Sequence, residues 1–186
     1  MRVGIVLAVL LVAVLAAPPP GHAELRISDL DVFLNDQDVT VHVVALGAVP
    51  AGFLEHVQSG VQTHLRFTVE LWRYNRMWRD TRLITRRVER QLEYNVVTKE
   101  YKIVSVHGEA RSAYTTRDLR DAQRVLSELR GLKLTPASAL DPADIFYVRV
   151  LAETALRGEH TWVSRVAGTA EQATRQSDHR TIMRVQ

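Results

Sequence analysis

The sequence has 186 residues, of which 46% are hydrophobic and 24% are charged, and its formal net charge is +3. These values are typical of a globular protein with a single domain. The sequence has no cysteine, which excludes a disulfide scaffold, a thiolate metal site and a cysteine nucleophile.

The first 23 residues have the pattern of a secretory signal peptide. Arg2 supplies a positive charge, residues 3–17 carry no polar side chain, and three prolines are followed by Gly21-His22-Ala23. An apolar run of this length is shorter than the roughly 18 residues that a membrane-spanning helix needs, and prolines end a helix. We therefore predict cleavage after Ala23, export to the periplasm, and no transmembrane span in the mature chain.

Residues 24–156 are predicted to form a single β-rich domain that begins with a hairpin. Residues 25–34 and 39–46 are rich in apolar and β-branched side chains, and the polar residues 35–38 between them favour a turn. In the second run Thr40 and His42 alternate with apolar residues, which is the period of a strand with one buried face. Those apolar residues are Val39, Val41, Val43 and Ala45.

A short helix and three further strands are predicted next. The helix covers residues 53–58 and ends at Gly60. The strands cover residues 65–72, 84–94 and 96–106, which predicts an antiparallel meander with a turn near residues 74–76. In the second of these strands Arg86 and Arg90 share a face with apolar residues, so the pattern leaves its register open.

The longest predicted helix follows Thr115 and Thr116, which are candidate N-cap residues. Gly131 stands where a helix commonly ends. The apolar stripe of this helix consists of Leu119, Ala122, Val125, Leu126 and Leu129. A loop between Pro136 and Pro142 precedes the last predicted strand, residues 146–153.

Beyond Leu156 the pattern fades, and residues 157–186 are predicted to be a polar C-terminal extension. Residues 172–186 have the composition of a disordered segment, while Trp162 and Val163 are candidates for docking on the domain. The fold class predicted for the chain is mainly β, a β-rich α+β fold. Its architecture is an antiparallel β-sandwich or curved sheet of about six or seven strands, with one substantial helix and one short helix.

The sequence lacks the motifs that identify the common enzyme classes. It has no phosphate-binding glycine loop, GxSxG elbow, HExxH helix or EF-hand loop. No two histidines after residue 23 have the i, i+2 or i, i+4 spacing of paired metal ligands on one strand or helix. We interpret Asp29, Asp31, Asp36 and Asp38 as a solvated strand face and a turn. No catalytic residue, metal site or cofactor is predicted, and a non-enzyme is favoured.

The distribution of charge is more informative than its total. Residues 24–57 carry six acids and one arginine, a net charge of −5. Residues 66–90 carry eight arginines and three acids, a net charge of +5. Arginine binds carboxylate and phosphate groups through two parallel hydrogen bonds and stacks on aromatic rings, and Trp72, Tyr74 and Trp78 lie among these arginines.

The basic segment has two interpretations. In the first, its arginines pair with the acidic first hairpin or form a solvated strand face, while the tryptophans pack in the core. In the second, an exposed hairpin tip binds an anionic partner: a protein patch, a lipid headgroup or an envelope polymer. Nucleic acid is not expected, because the net charge is small and the protein is predicted to be exported. The candidate partner-binding residues are Trp72, Arg73, Tyr74, Arg76, Trp78 and Arg79.

Several short motifs between Arg26 and Leu156 are familiar as a group. They are Ser59-Gly60 before a strand, Glu70-Leu71-Trp72-Arg73, Trp78 with Asp80, Leu92-Glu93-Tyr94, and Thr98 with Tyr101. With them the chain resembles an uncharacterised family of small exported proteobacterial proteins, domain of unknown function 4390. Members are often encoded beside a membrane sensor histidine kinase and its response regulator, so the resemblance implies an accessory role in envelope sensing and no catalytic residue.

The chain departs from that family after Leu156, where Arg157-Gly158-Glu159-His160 stands in place of an expected proline-containing stretch. The leading functional hypothesis is a non-enzymatic periplasmic binding or accessory module that contacts an envelope protein, with the sensor kinase as the candidate partner. The alternatives are an envelope hydrolase or metal-dependent enzyme with a site assembled from separate strands, and a lipid or glycan carrier.

Overall fold

The computed structural model describes residues 24–159 and 162–181. The predicted signal peptide and residues 182–186 lie outside the described residues. The strands are β1 (Arg26–Asn35), β2 (Asp38–Leu46), β3 (Thr63–Arg73), β4 (Thr81–Asn95), β5 (Glu100–His107), β6 (Tyr114–Thr116), β7 (Glu128–Pro136), β8 (Ile145–Leu156), β9 (Ala170–Gln176) and β10 (Arg180–Thr181). The helices are α1 (Ala51–Gln58), α2 (Leu119–Ser127) and α3 (Trp162–Val166), and Ala137–Ala139 form one 3₁₀ turn.

The strands form two antiparallel sheets. The smaller sheet has the order β1-β2-β7, and the larger has the order β10-β8-β3-β4-β5-β6, with β9 also paired along β8. Their apolar faces enclose one core with helices α1 and α2, as shown by the burial of Val43, Phe67 and Val150 together with Phe53 and Leu126. The structure thus confirms the predicted β-rich α+β sandwich. Within the described residues no helix is long and apolar enough to cross a bilayer.

The predicted first hairpin is present, and its turn has a specific backbone geometry. Asp36 and Gln37 have φ angles of 50° and 67°. Positive φ at both central residues is the mark of the type I′ turn, whose twist matches that of the two strands it joins. The alternation in β2 is also confirmed on its apolar face, but Thr40 on the opposite face is fully buried as well.

Strand β4 takes the register that its pattern left open. Phe67 of β3 pairs with Val88, and Leu65 pairs with Arg90. Because side chains two residues apart lie on the same face, Arg86 and Arg90 are directed inward with the apolar residues. The mixed alternation in the sequence of β4 thus arises because arginines lie on the inner face of this strand.

The predicted start of the next strand, at Val96, is wrong. Residues 96–99 form the turn between β4 and β5, and Lys99 has a φ of 59°. The side-chain oxygen of Asn95 accepts the amide hydrogens of Val97 (2.9 Å) and Thr98 (3.1 Å). This asparagine turn overrides the β propensity of the two consecutive valines.

The predicted limits of the longest helix are also wrong. Asp118, not Thr115 or Thr116, is the N-cap, because its carboxylate accepts the amide hydrogen of Arg120 at 2.8 Å. Helix α2 ends at Ser127, and the residues predicted as its last turn belong to β7, which pairs with β2. Gly131, with a φ of 68°, lies within that strand. Pairing with β2 thus overrides the local helical pattern.

The C-terminal segment adds strands to the larger sheet. Strand β9 pairs with residues 149–155 of β8, and β10 pairs with the first two residues of β8. The prediction of disorder is therefore wrong for residues 172–176, which belong to β9. Val163 is exposed, so its predicted docking is wrong, and the side chain of Trp162 lies outside the described residues.

Candidate functional site

The connection between β3 and β4, residues 74–80, projects from the end of the larger sheet and is called the tip loop below. Met77 is 88% exposed and Trp78 is 81% exposed. Arg76 and Arg79 are exposed beside them. Two large apolar side chains exposed to water on one short loop are unusual. Exposed apolar patches commonly mark a contact surface.

Hydrogen bonds at its base hold the tip loop in one conformation. The side-chain oxygen of Asn75 accepts the amide hydrogens of Met77 (3.0 Å) and Trp78 (3.2 Å). One carboxylate oxygen of Asp80 accepts the amide hydrogen of Asn75 at 3.0 Å, and the other accepts the hydroxyl of Tyr147 at 2.8 Å. The backbone that carries Met77 and Trp78 is therefore fixed at both ends of the loop.

The pKa values of Asp80 and Tyr147, the two side chains that close the loop, are shifted in opposite directions. The backbone hydrogen bond from Asn75 and the hydroxyl bond from Tyr147 lower the pKa of Asp80 below its ordinary value of 3.8. Burial, and then the bond to Asp80, raise the pKa of Tyr147 to about 12. At neutral pH the carboxylate is charged and the phenol is protonated, which is the combination this hydrogen bond needs.

An aromatic platform on the outer face of the larger sheet supports the loop. Trp72 lies parallel to Tyr147 with ring centroids 6.3 Å apart, and its ring nitrogen donates to Glu70 at 2.9 Å. The guanidinium of Arg149 lies 4.9 Å from the Trp72 ring centroid, within cation–π range. His179 contacts Tyr147 edge-on at 5.0 Å, and it contacts Tyr74 of the tip loop at the same distance.

The arginines of the basic segment divide into paired and unpaired groups. Arg73 pairs with Asp144, and Arg82 pairs with Glu70. The other pairs are Arg66 with Glu89, and Arg90 with Glu109. Arg76 and Arg79 have no ion pair within the described residues, and with the carboxylate of Asp80 the tip loop has a net charge of +1.

The first interpretation of the basic segment is therefore wrong about the hairpin pairing and the core tryptophans, whereas its solvated strand face agrees with the exposure of Arg82, Arg86 and Arg87. In the part of the chain that the structure describes, no arginine of residues 66–90 pairs with an acid of residues 24–57; the ion pair of Asp38 is with Lys133. Neither Trp72 nor Trp78 belongs to the core, since Trp72 is half-buried on the outer face and Trp78 is exposed. Of the six candidate residues, Trp72 forms part of the platform, Arg73 is paired beside it, and the other four lie on the tip loop.

Metal-ligating clusters and an apolar cavity among the described residues bear on the enzyme and carrier alternatives. Among residues 24–159 and 162–181, no group of three or more histidine, aspartate or glutamate side chains is arranged to hold a metal ion. An apolar pocket of about 50 Å³ is lined by Val32, Leu71, Phe146 and their neighbours. Pockets for drug-sized ligands measure roughly 300–1,000 Å³, so this one is too small for a lipid chain.

Comparison with known proteins identifies a family but no activity. The sequence profile described as Domain of unknown function (DUF4390) matches residues 22–168. The chain belongs to this family. No curated protein and no solved structure matches the chain.

The DUF4390 match includes the tip loop and most of the aromatic platform, and it ends two residues before β9. His179, which contacts the platform, therefore lies outside the matched residues. Sequence reasoning missed Asp80, Tyr147 and His179 as parts of the site. Asn75 and Asp80 were the sequence signal that could have indicated a fixed turn in the tip loop, because asparagine and aspartate side chains commonly stabilise turns.

Proposed function

We propose that this protein is a non-catalytic binding module of the bacterial envelope, exported to the periplasm, that contacts a protein partner through the tip loop. The observation that carries the proposal is the exposure of Met77 and Trp78 on a loop whose backbone is fixed by Asn75 and Asp80. A loop backbone that is already fixed in the free protein loses little conformational entropy on binding, which favours affinity.

The chemistry of the tip loop suits a protein surface. Tryptophan and arginine are the residues most often found at the energetic centre of protein interfaces. The apolar pair would fill a pocket of the partner, while Arg76 and Arg79 would face acidic residues around it. A partner with an apolar pocket and an acidic rim is therefore the best match.

The candidate partner is the periplasmic part of a membrane sensor histidine kinase. This choice follows from the accessory role in envelope sensing that the family resemblance implies, and it is a narrower proposal than protein binding. The hydrolase and the lipid or glycan carrier remain alternatives, and no feature of the described residues favours either.

The proposal is tested by photo-crosslinking in intact cells of the native host. A photoreactive residue at position 78 is expected to give a discrete adduct with a membrane protein, identified by mass spectrometry. Val97, in the turn between β4 and β5, is 90% exposed and provides a matched control position. An adduct from both positions, or none from position 78 in a folded and exported protein, contradicts the proposal.

A second test uses substitutions at the same two places. Trp78→Ser combined with Arg79→Ser is expected to abolish partner capture, and Val97→Ser is expected to leave it unchanged. Because all three side chains are exposed, neither variant should lower the free energy of unfolding by more than about 0.5 kcal/mol. Capture of the partner by the tip variant at the wild-type level would refute a role for the tip loop.

A further inference from the structure

Strand β4 extends beyond the strand that lies beside it. It pairs with β3 from Thr81 to Leu92, but with β5 only from Glu89 to Asn95. Within the described residues, residues 81–86 therefore have a neighbouring strand on one side only. These six residues, called the open edge below, are exposed except for Ile84, which is half-buried.

A glycine ends the pairing of β5. Gly108 has a φ of 84°, and a Cβ at that position would lie 1.9 Å from the carbonyl oxygen of Arg87. The chain therefore passes closely against Arg87 and then turns inward, where Glu109 meets Arg90. A strand added beside the open edge would continue the line of β5.

The edges of β1 and β7 in the smaller sheet are occupied by side chains. Carbonyl oxygens of β1 accept hydrogen bonds from Arg175 and Arg180. The carbonyl of Leu134 in β7 accepts one from Arg86. In the described part of the chain, no such side-chain bond reaches the backbone of the open edge. Along an antiparallel strand, alternate residues direct their N–H and C=O groups away from the partner. A register shift at Leu83 interrupts this alternation, and roughly half of these residues present both groups outward.

The charge around the open edge is positive. The strand carries Arg82 and Arg86, Arg87 follows directly, and no acid occurs between Thr81 and Arg87. On the outer face, Arg82, Thr85, Arg87 and His107 line part of a shallow depression of about 370 Å³. Its one acid, Glu70, already accepts bonds from Trp72 and Arg82. Arginines protect an edge from indiscriminate pairing, and they also make it selective for an acidic strand.

We infer that the open edge of β4 binds an extended acidic segment of a protein partner as an additional strand. Backbone hydrogen bonds to residues 81–86 would supply affinity, and acidic side chains facing Arg82 and Arg87 would supply selectivity. The inference rests on the proposed function, because the open edge follows the tip loop without interruption and one partner can contact both. It narrows the partner to a protein with an acidic, extended segment.

The test uses the purified exported protein and a synthetic peptide, acetyl-Glu-Val-Glu-Val-Glu-Val-Glu-amide. Residue-specific amide hydrogen exchange is measured by NMR with and without the peptide. Slower exchange is expected at the open-edge residues whose amides point away from β3, because the other amides are already bonded to β3. Binding that leaves these amides unchanged, or no binding at millimolar peptide, would overturn the inference.

Two control peptides separate backbone pairing from charge. The same peptide N-methylated at its five central residues keeps every charge but loses its backbone donors, and it should bind at least tenfold more weakly. A peptide with lysine in place of glutamate should also bind at least tenfold more weakly, because like charges then face each other. Equal affinity for the N-methylated peptide would refute strand addition.

Substitutions distinguish this inference from the proposed function. Arg87→Glu should weaken peptide binding about tenfold and Arg87→Gln about threefold, whereas Arg26→Glu, on the smaller sheet, should have no effect. The Trp78→Ser, Arg79→Ser variant should keep the exchange protection. If crosslinking at position 78 fails while protection persists, only the tip-loop function is refuted; the reverse result refutes only strand addition.

Discussion

Arg90 connects three elements of the fold from a fully buried position. Its side chain forms two bonds with the carboxylate of Glu109, at 2.5 Å and 2.9 Å. Its third nitrogen donates to the carbonyl oxygens of Val125 (3.0 Å), Leu126 (3.1 Å) and Glu128 (2.8 Å), at the end of α2 and the start of β7. A positive charge at the C-terminus of a helix also interacts favourably with the helix dipole.

Arg90→Met should destabilise the protein by about 3–4 kcal/mol. The two hydrogens of that nitrogen are shared among the three carbonyls, so their loss costs about 2 kcal/mol at about 1 kcal/mol per bond. The side chain of Glu109 is 19% exposed, so water can hydrate the carboxylate that loses its partner, and breaking this ion pair adds only about 1–2 kcal/mol, less than for a fully buried pair. For a domain of this size the midpoint of thermal unfolding should fall by about 10 °C.

Urea-induced unfolding followed by circular dichroism measures this loss. Arg130→Met is the matched control, because Arg130 pairs with Glu128 at the surface with 69% of its side chain exposed. That variant should lose no more than about 1 kcal/mol. Arg90→Lys, which keeps the charge without the planar fork, should fall between the two. A loss for Arg90→Met within 0.5 kcal/mol of the control would refute the reasoning.

Two further predictions concern the backbone and the tip loop. Gly108→Ala should lower the free energy of unfolding by about 2–4 kcal/mol, because its Cβ would collide with the Arg87 carbonyl. The control Gly168→Ala, at a φ of 72° with open space around it, should lower it by about 1 kcal/mol. Equal losses of the two variants in urea unfolding would contradict this explanation. Because the pKa of Asp80 is lowered, its contribution to stability should be complete above pH 3.8 and lost as the pH falls below that value. Asp80→Asn should remove this acid dependence from the unfolding midpoint, and an unchanged dependence would refute it.

The sequence predicts best those strands with one buried and one exposed face. Alternation in β3 and β8 fixed which residues point inward, because a shift of one residue would move every apolar side chain to the other face. Strand β7 was missed because the helical stripe before it extends to Leu129 in the same period. Only the pairing with β2, which lies far away in the sequence, decides where the helix ends.

The candidate site was predictable in composition but not in arrangement. The cluster of arginine and aromatic residues was visible, yet a tryptophan in a basic segment fits a core or a surface equally well. The exposure of Trp78 depends on the turn that Asn75 and Asp80 form. The contact of His179 with Tyr74 joins residues more than 100 positions apart, which local patterns cannot report.

The hydrogen bond from the Leu25 amide to Glu171 places the first described residues beside one end of the larger sheet. Glu171 pairs with Thr154, which pairs with Leu65 near the start of β3. The remainder of β3 then runs toward the tip loop at about 3.3 Å per residue, a distance of roughly 30 Å. Trp78 therefore lies at the opposite pole from Leu25, so a partner that contacts the tryptophan is kept about the length of the sandwich away from the first residues of the domain.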